Sequence, residues 1–268
     1  HLASLKFAEE VKKRSNGRIE VKVYPNEQLG KEMDVLTGLL VGSADIMITG
    51  ESLQSWSLPK AILCATPFAI RDSEHLTKVA GFRPIAWFER GARNLTANRI
   101  IRHPDELQGM ILRVPPVSLY VDTWSALGAK PTPMAFSEVF TALQQSTIHG
   151  QENPFALIKD AGLYEVQKYC MLTSHVKSWA YVVMSGKKYD SLPKDLKKVI
   201  DESAKIMQEY EHELFLVQEK KDYDFLVEKG MEFIEVDNEA FKAAAKEAVL
   251  QSFDEEQTDL LNRIQQVK

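Results

Sequence analysis

The sequence lacks any long uncharged apolar run, the feature by which a membrane-spanning segment is recognised. A spanning helix needs about 20 predominantly apolar residues. The apolar-rich stretch at 61–70 is preceded by the sequence Leu-Pro-Lys at 58–60. No signal peptide is visible in the sequence either, since His1 leads directly into an amphipathic segment. We therefore expect a chain that is not embedded in a membrane, either cytoplasmic or separated from its leader.

Cysteine and the common enzyme motifs are scarce as well. Cys64 and Cys170 are the only cysteines, and both lie among apolar neighbours. We interpret them as small buried side chains, with a disulfide as the alternative. There is no CxxC and no Cys/His cluster, which argues against a zinc site. A Walker loop, GxSxG and GxGxxG after a strand are also missing, so we expect no catalytic residue and no cofactor.

No block of positive charge is present. The 33 Lys and Arg and 38 Asp and Glu are interspersed and leave a net charge of −5. A nucleic-acid partner needs a concentrated basic surface. We therefore expect no nucleic-acid partner.

The sequence does contain alternating helical and extended patterns, and its 268 residues suit two lobes. This alternation predicts an α/β fold with largely parallel strands. The predicted helices are 2–11, 33–40, 117–127 and 137–146, the last with Ser137 as N-cap; the predicted strands are 19–24, 45–49, 111–114, 131–134 and 181–184.

One helical pattern is unusually long. It runs from Pro193 to Gly230 without an internal proline or glycine. A helix of about 36 residues would be roughly 50 Å long, whereas a 130-residue lobe is about 30 Å wide. We favour a helix that belongs to both lobes over a kinked helix or a coiled-coil arm.

Several short segments together resemble the DctP-type substrate-binding proteins of tripartite ATP-independent periplasmic (TRAP) transporters. They are FAEEV at 7–11, NGRI at 16–19, YP at 24–25, QLG at 28–30, LRVP at 112–115, PTPM at 131–134, FSEV at 136–139, ALQQ at 142–145 and GQENP at 150–154. In that family a strand and a loop that can touch ligand precede the helix that opens here at Leu2. Contacts from that strand would add to any site in this sequence.

The resemblance implies a two-lobed clamp like those of periplasmic binding proteins, with a long helix spanning both lobes. We place residues 1–90 plus 179–218 in lobe I and 91–178 plus 219–268 in lobe II. It further implies a periplasmic monomer that closes on a small carboxylate ligand in the interlobe cleft and presents it to TRAP membrane permease subunits. No catalysis is expected.

Two residues are the main candidates for holding the carboxylate. Arg113 offers a planar fork of donors that meets a carboxylate bidentately, and the arginine of the family's Arg-Val-Pro motif has this role. A salt bridge within the protein is the alternative. The Asn153 amide both donates and accepts, and the matching family residue pins the ligand; capping a turn is the alternative.

Three further residues match ligand-facing family positions, and Trp179 is a fourth candidate. Arg93 corresponds to a second arginine, with a solvated loop residue as the alternative. Glu51 corresponds to a glutamate that accepts hydrogen bonds from ligand hydroxyls, which favours a hydroxylated sugar acid such as a uronate; a charge at a helix N-terminus is the alternative. Phe136 matches a family aromatic that packs on the ligand, with a place in the core as the alternative. Trp179 is an aromatic candidate for lining the cleft.

Other functions remain open. The ligand could be a C4-dicarboxylate or a 2-oxo acid, although Ala180 stands where metal-bridged 2-oxo acid receptors carry a glutamate, so we expect no metal. An α/β enzyme acting on small acids would use Glu51 or His175 as a base. We expect His175 instead to be a satisfied structural histidine. A sensor module that shares the clamp is a third possibility.

Overall fold

The structure is a computed structural model that describes residues 1–50, 85–251 and 253–266. The helices in these ranges are α1 (Leu2–Arg14), α2 (Glu32–Val41), α3 (Ser118–Ala126), α4 (Val139–Gln144), α5 (Phe155–Asp160), α6 (Gly186–Ser191), α7 (Lys194–Glu228), α8 (Asn238–Gln251) and α9 (Glu255–Gln266). The strands are β1 (Ile46–Thr49), β2 (Ala86–Ala97), β3 (Ile111–Val114), β4 (Lys130–Pro133), β5 (Gly150–Asn153), β6 (Tyr169–Met184) and β7 (Glu232–Ile234). None of the described helices is long and apolar enough to cross a membrane.

The described residues fall into two compact units. The first unit contains residues 1–50, 85–89 and 179–217, and the second contains residues from 90–178 and from 218 onwards. β2, β6 and α7 each begin in one unit and end in the other. In β2, β6 and α7, the predicted boundaries between the two lobes lie at the same or neighbouring residues as the boundaries between these units. That the units are lobes that move stays a prediction.

The first unit has its core between helices and two strand segments. α1 contributes residues four apart, Ala3, Phe7 and Val11, which form one face of the helix. They pack with residues of β2, β6 and α7, namely Ala86, Phe88, Ala180, Val182, Ile200, Ala204 and Met207. β1 pairs antiparallel with the end of β6, with Ile46 opposite Met184. Amphipathic periodicity in α1 and α7 thus determines which faces are buried.

The second unit is built on the strand order β6-β2-β5-β3-β4, with β7 pairing with β6. β3 is parallel to both β4 and β5, and β7 is parallel to β6. β2, however, is antiparallel to β5, as β1 is to β6. The expectation of largely parallel pairing is therefore corrected to a mixed sheet, because alternating patterns locate strands without giving their direction.

Three local predictions also need correction. Residues 19–24 show the predicted alternation of burial, but they pair with no strand in the described part of the chain. The predicted helix 137–146 begins instead as a 3₁₀ turn, Phe136–Glu138, so Ser137 is not its N-cap. The strand predicted at 181–184 is the end of the much longer β6.

The long helix is confirmed. α7 is continuous over 35 residues and belongs to the first unit up to Val217 and to the second from Gln218. Its residues are buried in both cores, for example Ile200 in the first and Leu226 in the second. A projecting coiled-coil arm is excluded because this helix supplies core residues towards both of its ends.

Candidate functional site

Arg113 lies on β3 in the second unit and is almost fully buried. Its Nε and Nη2 donate to the carbonyl oxygen of Met134 at 3.0 and 2.7 Å. This carbonyl directly follows β4, the parallel neighbour of β3, so strand pairing brings it to the guanidinium. The plane of the guanidinium is thereby fixed by a neutral acceptor.

Phe136 lies beside Arg113. It opens the 3₁₀ turn after β4, is partly buried, and packs against the core of the second unit. The Arg113 guanidinium carbon is 5.8 Å from the centroid of its ring, within the range of a cation–π contact. The structure therefore brings together two of the predicted site residues.

Asn153 ends β5 and is buried, rather than capping an exposed turn. Leu112 is opposite Gly150 in the parallel pair β3–β5, which sets Arg113 opposite Gln151. Successive side chains of a strand point to opposite faces, so Arg113, Gln151 and Asn153 share one face of the sheet. A Cβ at Gly150 would collide with the carbonyl oxygen of Thr96, which explains the glycine at the start of β5.

Arg93 lies within β2 and is buried, so it is not a solvated loop residue. Its Nε is 2.5 Å from Glu152 Oε2, and its Nη2 is 2.7 Å from Oε1, a bidentate ion pair. The same Nη2 also donates to Asn153 Oδ1 at 3.0 Å. Tyr120 covers the guanidinium, with its ring centroid 5.5 Å away. Arg93 therefore joins the site through Asn153, while its fork of donors faces an internal carboxylate.

Glu152 is the main residue that sequence reasoning missed. Complete burial by itself raises the pKa of a carboxyl group, but the charge and hydrogen bonds of Arg93 and His175 outweigh it and lower the pKa of Glu152 to about 2. His175 Nε2 is 2.9 Å from Glu152 and its Nδ1 is 2.8 Å from Thr173 Oγ1. His175 is thus the satisfied structural histidine that we predicted. A glutamate inside the polar run Gln-Glu-Asn was the available signal for this pair.

Among the described residues, Trp179 is the remaining candidate. Trp179 lies inside β6, in the first unit, where it is completely buried and meets Trp87 edge-to-face at 5.4 Å. Its contact with ligand stays a prediction. Glu51 lies outside the described residues, as does Cys64. Cys170 is a free thiol whose pKa is raised by burial.

The described ranges contain no group of His, Cys, Asp and Glu side chains able to hold a metal ion. What they do contain is a set of buried hydrogen-bond donors on β3, β5 and β2. Arrangements of this kind bind small molecules through a few well-placed polar groups.

The fold is that of bacterial solute-binding proteins. The model of bacterial extracellular solute-binding protein family 7, DctP, matches residues 1–257. The chain belongs to this family, as its sequence resemblance predicted.

Relatives agree with this assignment. A curated solute-binding protein of Roseobacter denitrificans is 49% identical over 272 residues, which cover 96% of this chain and 83% of the relative. The crystal structure of that TRAP periplasmic solute-binding protein, with bound L-galactonate, matches 98% of this chain and 93% of its own, with a TM-score of 0.94. A TRAP periplasmic solute-binding protein from Polaromonas, bound to D-erythronate, is 30% identical, with a TM-score of 0.92 over 99% of this chain and 93% of its own.

Proposed function

We propose that this chain is the periplasmic solute receptor of a TRAP transporter and that its ligand is a hydroxylated sugar acid, with an aldonate as the first candidate. The main support is the similarity to the Roseobacter protein, which is 48% identical in the structural alignment and has L-galactonate bound. L-Galactonate and D-erythronate both combine one carboxylate with a chain of hydroxyl groups. A dicarboxylate or 2-oxo acid receptor is less well supported by these relatives.

In this proposal the carboxylate pairs with Arg113. The Met134 carbonyl already orients the guanidinium, so little side-chain freedom is lost on binding. Asn153 donates to the same carboxylate from the neighbouring strand, and the Phe136 ring lies beside the Arg113 guanidinium. Arg93 and Trp179 remain candidate ligand contacts, as does Glu51, which would accept hydrogen bonds from ligand hydroxyls.

The remaining parts of the proposal follow from the family. The receptor acts as a monomer, closes on its ligand, and delivers it to membrane permease subunits without converting it. The sequence provides none of the common nucleophile or cofactor motifs that turnover would use.

Calorimetric titration tests the proposal. We expect L-galactonate to bind at micromolar Kd or tighter, about −8 kcal/mol or more. Arg113→Ala should weaken binding by about 2–5 kcal/mol, roughly 30-fold or more, since the ligand carboxylate would be buried without its partner. L-Galactose, which lacks the carboxylate, and succinate, which lacks hydroxyls, should bind far more weakly.

The control is Arg99→Ala, which removes an exposed arginine and should leave the affinity unchanged. Equal binding of L-galactonate by wild type and Arg113→Ala would overturn the role of Arg113. A stronger response to succinate than to all sugar acids would overturn the ligand class. Ligand recovered after the titration should be chemically unchanged by NMR, and a converted product would contradict a pure receptor.

A further inference from the structure

Buried polar side chains form a continuous chain of hydrogen bonds that begins at Asn153 and runs through the second unit. Asn153 Nδ2 donates to Gln151 Oε1 at 2.5 Å, and Gln151 Nε2 donates to Thr96 Oγ1 at 2.9 Å. Thr96 Oγ1 then donates to Gln167 Oε1 at 3.1 Å, and Gln167 Nε2 donates to the carbonyl of Val166 at 3.1 Å. The four polar side chains belong to residues that are at most 2% exposed.

The groups at both ends of this chain of hydrogen bonds require the same direction of donation along it. At one end, Arg93 donates to Asn153 Oδ1 at 3.0 Å, and a guanidinium can only donate. At the other end, the Val166 carbonyl can only accept. The orientation of an amide side chain is normally assigned from its surroundings. Here a donor-only group and an acceptor-only group both require the same orientation of every amide between them.

Reversal of one amide would disturb the whole chain. If Asn153 turned over, its NH₂ group would face the Arg93 N–H, and its oxygen would face Gln151 Oε1. Turning Gln151 and Gln167 as well would leave the conflict with Arg93 in place and would add a second one at the Val166 carbonyl, where two acceptors would meet. Buried polar groups without partners are costly. The Asn153 amide is therefore held in one orientation by groups on β2 and β5 and in the turn before β6.

The orientation determines what Asn153 offers to a ligand. Its oxygen accepts from Arg93, and one N–H donates to Gln151. Within the described ranges, the second N–H of its Nδ2 has no protein partner. Asn153 thus has a donor left over on the strand face that it shares with Arg113.

We propose that Gln151, Thr96 and Gln167 are positioning residues that fix Asn153 as a hydrogen-bond donor to the ligand carboxylate. This inference rests on the proposed function, in which that carboxylate binds at Arg113. A carboxylate oxygen only accepts, so it satisfies a donor on Asn153, whereas the NH₂ of a carboxamide would face another donor. The chain of amides thereby contributes to selectivity for the acid, although none of the three positioning residues touches the ligand.

Thr96 offers a matched pair of variants. Thr96→Val keeps the shape of the side chain and removes the hydroxyl, which interrupts the chain at its centre. Thr96→Ser keeps the hydroxyl and removes only a methyl group. We expect Thr96→Val to bind L-galactonate about 10-fold more weakly and to lose a similar factor of preference over L-galactonamide, whereas Thr96→Ser stays within about twofold of wild type.

A double-mutant cycle separates positioning from a merely structural role. In the Asn153→Ala background, Thr96→Val should cause no further loss of affinity, because the amide through which Thr96 acts has been removed. The side-chain NH₂ signals of Asn153 in ¹⁵N NMR spectra should be protected from exchange in wild type and Thr96→Ser, and unprotected in Thr96→Val. If Thr96→Val does not fold, Gln167→Met interrupts the same chain at its far end.

The possible failures are distinct. If the wild type binds no sugar acid, the proposed function fails, and the role of these residues in binding fails with it. If the wild type binds L-galactonate but Thr96→Val or Gln167→Met binds it equally well, only the positioning role is overturned. A loss that persists unchanged in the Asn153→Ala background also overturns it.

Discussion

The charge of Glu152 depends on a small number of contacts. Its side chain has no exposed surface, and that of its partner Arg93 is only 4% exposed. A buried carboxylate is destabilising unless it is paired and hydrogen-bonded. Arg93 provides two donors and His175 a third, so the negative charge is balanced within the second unit. The pair is therefore an obligate part of the fold around Asn153.

The lowered pKa of Glu152 gives a pH prediction. Its folded pKa of about 2 lies below the usual 4.5. The contribution of the ionised Glu152 carboxylate to the stability of the fold is therefore fully present above pH 4.5 and is lost as the pH falls from 4.5 towards 2. A difference of about 2.5 units corresponds to about 3 kcal/mol. Glu152→Gln should lower the free energy of unfolding by about this amount at pH 7, measured by urea titration.

Urea titration of both proteins over a pH series distinguishes the loss of the Glu152 charge from a general destabilisation of the fold. The difference between wild type and Glu152→Gln should shrink as the pH falls from 4.5 towards 2. Glu232→Gln, which removes an exposed partner of Lys168, should leave both stability and pH profile nearly unchanged. A constant difference between wild type and Glu152→Gln at every pH would contradict the assignment.

At the scale of the element, the C-terminal part of α7 is attached to the second unit by an ion pair. Asp222 is buried, lies 2.6 Å from Lys159 of α5, and also accepts from Gln218 at 2.8 Å. Asp222 raises the pKa of Lys159 by hydrogen bonding and charge. Beside this pair, Leu226 of the same helix is buried in the apolar core of the second unit. A polar and an apolar contact thus hold one end of the helix.

Asp222→Asn should lower the free energy of unfolding by about 2 kcal/mol, less than for a fully buried pair because Lys159 can still reach solvent. The matched control is Asp224→Asn on the same helix. Asp224 pairs with Lys220 at 2.7 Å, but both side chains are exposed, so the loss should stay below about 0.5 kcal/mol. Thermal and urea unfolding of both variants measure the difference. Equal losses would show that burial of the pair contributes nothing.

For the whole molecule, the important feature is the continuity of three elements. β2, β6 and α7 each supply residues to both compact units. If one unit unfolds, the other loses the support of parts of its own strands and of its longest helix. We therefore expect the two units to unfold together rather than independently.

Scanning calorimetry checks this expectation. The protein should show a single transition, and L-galactonate at 100 times its Kd should stabilise the fold by about 2.7 kcal/mol. For a chain of this size, the whole transition should move up by roughly 5 °C or more. Two transitions, of which the ligand moves only one, would show that the units unfold separately.

The sequence alone determined the features that depend on local pattern. The length of α7 could be predicted because an uninterrupted helical period is visible within one segment. Arg113 is a candidate because it lies in a short motif, and its contact with ligand stays a prediction. The pairing of Arg93 with Glu152 could not be predicted from the sequence, since these residues are 59 positions apart. They meet only through the antiparallel register that sets Asn94 opposite Asn153. Tertiary structure alone decided which polar groups became buried partners, because strand direction and register arise from the packing of the whole sheet.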